Sequence, residues 1–248
     1  MKQAFSSLLV VLLLAGPGFE ARDDFEDGMQ ALRRKEYSTA LSKIESALAA
    51  DPDNLRYASY YRQAAIQSKQ YQRCLNFFEK LAQTNPASSN VALNYGFACV
   101  DKIPDAGVFS QVILANRAIS LFTKALELQK SWIVYYTRGN SYLYWPKVFN
   151  RTRLAVADLE EALNLQKLDR KRSYYVRTYI SLGDAYLRMD SVDKAKAVWQ
   201  EGLASFSGDA QLRQRLSMNL ERLKTLIYNT YNPAKRVDTR LDELWMEP

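Results

Sequence analysis

The chain has 248 residues, 48% of them apolar and 25% charged, a globular composition that excludes a disordered or fibrous class. Its formal charge of +7 divides unevenly, with an acidic excess over 21–54 and a basic one over 55–88, too mild to indicate a nucleic-acid partner. Histidine is absent, which removes the commonest general base and metal ligand together.

The opening residues carry the features of an export signal. Lys2 precedes an apolar stretch from Ala4 to Ala15 interrupted only by Ser6 and Ser7, then Gly16-Pro17-Gly18 and the acidic Asp23-Asp24. That stretch is shorter than the roughly 20 residues a spanning helix needs, so a removable leader over 1–18, extending to 21 if cleavage follows Ala21, is expected. The mature chain would then be periplasmic or extracellular. The alternative is a retained N-terminal anchor facing outward, the one case in which membrane contact is expected.

From residue 21 onward, few glycines and prolines, abundant Ala, Leu and Tyr, and no alternating Val/Ile runs predict helix throughout. A spaced pattern begins with Gly28 and Ala31, then Tyr37, Ala40, Ile44, Ala47 and Pro52. It recurs 34 residues on as Arg62, Ala65, Tyr71, Cys74, Phe78, Leu81 and Pro86. Third, fourth and fifth copies run Gly96, Cys99, Ala118, Phe122, Ala125; Gly139, Tyr142, Ala155, Leu159, Ala162; and Gly183, Tyr186, Ala195, Trp199, Gly202. Such self-similarity predicts paired helices in five units, over 21–54, 55–88, 89–131, 132–169 and 170–208. Small residues let the helices of a unit approach, and the large one between them fills the gap.

The longer steps between units three, four and five place inserts at 100–110 and 145–152, between the two helices of their units. The inserts fall in neighbouring units and should lie side by side. The first runs into the apolar pattern of Val108, Val112 and Ile113, which predicts a lengthened second helix. The edge would carry Trp145, Phe149, Arg151 and Arg153, residue types that favour docking; covering the end of the long helix is the plainer alternative. Residues 209–231 predict one long amphipathic capping helix with Leu212, Leu216, Leu220, Leu223 and Ile227 on a stripe. Asn232-Pro233 ends it. The tail over 232–248 has Leu241, Leu244 and Trp245 at short-helix spacing and either folds back onto the array or offers Trp245 to a partner; the first is expected.

Through Gly28, Ala40, Ala47 and Pro52 above all, the chain resembles the tetratricopeptide repeat family. Arg62, Cys74, Leu81 and Gly202 depart from its pattern, as does the missing final proline in units three to five. The resemblance implies an all-α, right-handed superhelical solenoid of about five repeats closed by a C-terminal cap. It also implies a peptide-binding groove along the successive first helices. The groove positions are Arg56, Tyr60, Gln63 and Gln67 in unit two, and Asn90, Asn94, Phe97 and Asp101 in unit three. Tyr136, Asn140 and Tyr144 follow in unit four, then Arg177, Asp184 and Arg188 in unit five. Amides and tyrosines there can meet a peptide backbone, although any water-lined groove must also be polar. The lysines of the chaperone-tail clamp are missing. In the family, the helices bearing Cys74 and Cys99 run antiparallel, which leaves a Cys74–Cys99 disulfide open in an oxidising compartment; two small buried fillers is the favoured alternative.

Catalytic signatures are lacking: there is no GxGxxG, GxxxxGK[ST], HExxH or CxxC, and no metal or cofactor is expected. Ser191-Val192-Asp193-Lys194 fits S-x-x-K but falls in a turn, where Ser reads as a helix cap. Asn150-Arg151-Thr152 is a glycosylation acceptor only in a eukaryotic host. The expected function is a non-catalytic scaffold or assembly adaptor of the cell envelope that binds other proteins or peptides. A structural accessory subunit of an envelope transporter or enzyme complex is the alternative.

Overall fold

A computed structural model describes residues 17–233, 235 and 237–246. The apolar leader, except its last two residues, lies outside them. Twelve α-helices among the described residues follow one another: α1 (Pro17–Arg33), α2 (Tyr37–Ala50), α3 (Leu55–Gln67), α4 (Tyr71–Thr84), α5 (Ser89–Lys102), α6 (Val108–Leu128), α7 (Trp132–Tyr142), α8 (Thr152–Lys167), α9 (Val176–Arg188), α10 (Val192–Ser205), α11 (Ala210–Ser217) and α12 (Leu220–Thr230). Consecutive helices pack in pairs and each pair stacks on the next, α2 on α3, α4 on α5, α6 on α7, α8 on α9. The result is an all-α helical-repeat solenoid. None of the described helices is long and apolar enough to cross a membrane.

The spaced small residues account for this packing. Gly28, Gly96, Gly139 and Gly183 sit where their first helix meets Ile44, Phe122, Leu159 and Trp199 of the second. At Gly183 an added Cβ would come within 2.1 Å of Trp199 Nε1, far inside contact distance. All the second-helix positions of the pattern, from Ala40 to Gly202, are buried. Unit two is the exception that tests the rule. Arg62 occupies its small slot, and α3 and α4 pack far less closely than the other pairs.

Turn chemistry separates the plain units from the elaborated ones. Units one, two and five reverse direction through three residues, with Lys35, Lys69 and Asp190 in the left-handed region (φ 61°, 56° and 59°). Each turn closes with the same backbone bond, Glu36 N to Ala31 O, Gln70 N to Ala65 O and Ser191 N to Tyr186 O, which satisfies the last carbonyls of the first helix. Units three and four use their inserts instead. α6 extends to 21 residues, and its first turns expose Val108, Phe109 and Ile113. The inserts meet: Ile103, Pro104 and Val112 share one cleft with Trp145, Pro146 and Phe149.

Two expectations are corrected. Cleavage after Ala21 would remove a residue packed in the core. The cap is two helices, not one. Met218 is extended and Asn219 caps α12 by accepting from Arg222 N at 3.0 Å, so Leu220 turns outward while Leu212, Leu223 and Ile227 stay buried. A short polar side chain that can bond a backbone N–H competes with helix continuation at that point. Finally, among its described residues the tail forms a single 3-10 turn, Asp242–Leu244.

Candidate functional site

The groove along the first helices is occupied by the chain's own tail. Residues 237–241 form no regular structure and turn alternate side chains inward: Thr239 and Leu241 are buried, Asp238 and Arg240 exposed. Leu241 joins the apolar cluster that extends from Phe25 through unit three to Val134.

Arg62 is the centre of the front half. A guanidinium in a slot made for glycine has no route to water, so it must be fully partnered. Its Nε donates to Asn94 Oδ1 at 3.2 Å, Nη1 to Asp101 Oδ2 at 3.1 Å, and Nη2 to the backbone carbonyl of Thr239 at 2.9 Å. Its plane lies 4.7 Å from the Phe97 ring. The Thr239 hydroxyl donates to the other oxygen of Asp101. Further along, Gln63 Nε2 donates to Asp242 Oδ1 at 3.4 Å, Arg177 pairs with Glu243 at 3.1 Å, and Trp245 packs 6.2 Å from Tyr60. Gln67 flanks a small cleft with Val237–Arg240.

The rear half holds a matching trio. Asp184 accepts from Arg215 Nε and Nη2 at 2.7 and 2.8 Å and from the Tyr231 hydroxyl at 3.0 Å. Here the groove position is sealed by the cap, since Arg215 comes from α11 and Tyr231 follows α12. Tyr144 meets Tyr231 edge-on at 5.4 Å, and Arg188 donates to the Trp145 carbonyl at 3.0 Å. Between the halves, Tyr136 stacks flat on Trp132 at 5.1 Å, and Asn140 accepts from Ser181 at 3.1 Å. Trp132 itself donates to Gln166 and Thr178 at 3.1 and 2.9 Å, which fixes the ring.

Tyr60, Gln63, Gln67, Asn94, Phe97, Asp101 and Arg177 are therefore brought to one occupied surface. Arg56 is exposed over Phe25 and Tyr60 at its edge. Asn90 turns away and donates to Asp53 O at 2.9 Å, tying the end of unit one to unit three. Asp184 is wholly buried, so it closes the core and is not open to a partner. On the insert edge, Trp145 and Phe149 meet edge-on at 5.5 Å and Arg151 lies 3.5 Å over the Trp145 ring, while Arg153 is exposed on α8.

Three residues central to this arrangement were not legible as such. Arg62 reads in sequence only as a defect of the pattern, yet a charge in a small buried slot signals that counter-charges must follow. Thr239 and Arg215 carry no local signal, because their partners are 138 and 31 residues away.

Cys74 and Cys99 are both buried and unbridged, and burial pushes both thiols up, Cys99 to about 12. Ser191 stands at the start of α10 without a capping side-chain bond. Among the described residues no group of His, Cys, Asp and Glu could hold a metal.

No family model and no curated protein matches the chain. Solved structures do. A tetratricopeptide protein of Thermus thermophilus, TTC0263, superposes with TM-score 0.56 at 20% identity over 79% of this chain and 97% of that one. MamA residues 41 to the end from Desulfovibrio magneticus RS-1 superposes with TM-score 0.52 at 16% identity, over 79% of this chain and 100% of that one. Another MamA structure gives 0.51 at 16% over 75% and 92%. At these identities the likeness establishes the fold, a tetratricopeptide-type helical repeat.

Proposed function

We propose that this chain is a non-catalytic protein–protein interaction scaffold or assembly adaptor of the cell envelope that holds a polypeptide segment in the groove of its first helices. One observation carries the reading: a ten-residue segment, 237–246, already lies along that groove. It is held by a carbonyl contact, paired charges and an apolar slot. The same groups would hold a partner's segment, since backbone and amide contacts are sequence-tolerant. Lys2 and the apolar run from Ala4 to Ala15 support an exported location, periplasmic or extracellular, with the leader removed or kept as an outward-facing anchor.

The exposed apolar insert edge favours a second reading, a structural accessory subunit of an envelope transporter or enzyme complex that docks through Trp145 and Phe149. Pull-down from host extract with mass spectrometry separates the two. Tyr136→Ala/Asn140→Ala should lose the partner if the groove binds it, and Trp145→Ala/Phe149→Ala if the edge does. Retention of every partner by both variants removes both surfaces, and salt-sensitive retention of DNA or RNA would restore a nucleic-acid role.

A further inference from the structure

We infer that the groove takes, from a partner, an extended acidic peptide with an alternating inward pair of the Thr239/Leu241 kind, followed by two carboxylates and a Trp, and that residues 237–246 are a displaceable stand-in for it. This rests on the groove reading above and names the ligand's chemistry.

Charge complementarity sets the first requirement. The groove presents Arg177 and Gln63 to the tail at half-exposed positions, and both meet carboxylates, Glu243 and Asp242. Arg56 lies exposed beside Tyr60, next to the Trp245 ring. Apolar selection sets the second, because Leu241 fills a slot continuous with the core and Trp245 packs on Tyr60. The backbone sets the third: Arg62 reads the Thr239 carbonyl, a group that any extended peptide offers in the same register.

Two features mark the tail as removable. Among its described residues the regular structure is one 3-10 turn, and its outward residues Asp238 and Arg240 bond each other. Trp245 Nε1 is buried with no acceptor among the described residues, an unmet donor that weakens the seated tail. The short link from α12 gives the tail a local concentration of roughly millimolar, which a partner must exceed by affinity.

The test uses the full chain and a fluorescein-labelled synthetic peptide of residues 237–246, read by anisotropy. Asp242→Lys/Glu243→Lys changes only half-exposed tail residues and sets like charge against Arg177. This variant should bind the peptide at least tenfold tighter than the wild-type chain does. A peptide carrying lysine at both acidic positions should not bind. Leu241→Ala/Trp245→Ala, which weakens the apolar anchor instead, should behave as the first variant does. Equal peptide affinity for wild type and both variants, with helical circular dichroism intact, overturns the inference. So does loss of the fold in both, since the tail would then be core. A wild-type dimer that excludes the peptide would assign the groove to a second copy and also overturn it. Failure here with partner loss in the Tyr136→Ala/Asn140→Ala pull-down would leave the groove a binding site for some other segment.

Discussion

The two halves of the groove are built on the same three groups and behave as different kinds of structure. In front, Arg62, Asp101 and Thr239 are joined; behind, Arg215, Asp184 and Tyr231 are joined, and all six are nearly inaccessible to water. The rear trio is closed by α11 and α12, each begun by a side-chain cap, Asp209 to Leu212 N at 2.8 Å and Asn219 to Arg222 N at 3.0 Å. The front trio is closed by a segment with one turn of 3-10 helix. A buried ion pair whose lid is helical is part of the core. One whose lid is an extended strap can be uncovered at low cost, because water replaces the lid.

The largest effect should come from breaking the rear trio. Asp184→Ala strands Arg215 in the core, and urea denaturation should show a loss of about 3–5 kcal/mol. Asp101→Ala strands Arg62 in the same way, yet the tail can lift and admit water, so a loss of about 1–3 kcal/mol is expected. Equal losses at the two sites would abolish the distinction between core and strap. Gly183→Ala forces a Cβ against Trp199 and should cost about 1–3 kcal/mol, placing the rear unit's packing on the same scale. Thr239→Ala should cost only about 1 kcal/mol while speeding amide exchange of 237–246, because its partner Asp101 keeps the Arg62 bond. The smallest effect concerns the thiols. Cys74 and Cys99 should resist a disulfide reagent at pH 8 in the native chain and in Asp242→Lys/Glu243→Lys alike, and react fully in denaturant. Fast reaction in the variant alone would mean that lifting the strap opens the core beneath it.

The repeats were legible because their signal is local. A small residue every helix and a large one between them is a packing rule that sequence spacing displays directly, and the buried positions from Ala40 to Gly202 follow it. The groove residues came from family resemblance, and the structure sorts them: Asp101 and Arg177 face the strap, Asn90 turns away, and Asp184 is sealed. What sequence could not convey was pairing at a distance. Arg62 reads as a flaw until Asp101 and the Thr239 carbonyl are placed beside it. The cap read as one helix because Leu212 to Ile227 keeps helical spacing across Asn219, whose capping bond overrides the apolar stripe.

Hydrogen exchange of the intact chain, read by mass spectrometry across a range of low urea concentrations, compares the strap with the cap directly. The amides of Leu244, Trp245 and Met246, bonded to Leu241 and Asp242 carbonyls, should be protected but exchange through a local opening that urea hardly affects. Those of 223–230 should exchange only with global unfolding. Unprotected exchange at 244–246, or exchange that tracks α12 at every urea concentration, would contradict a strap seated in the groove and free to leave it.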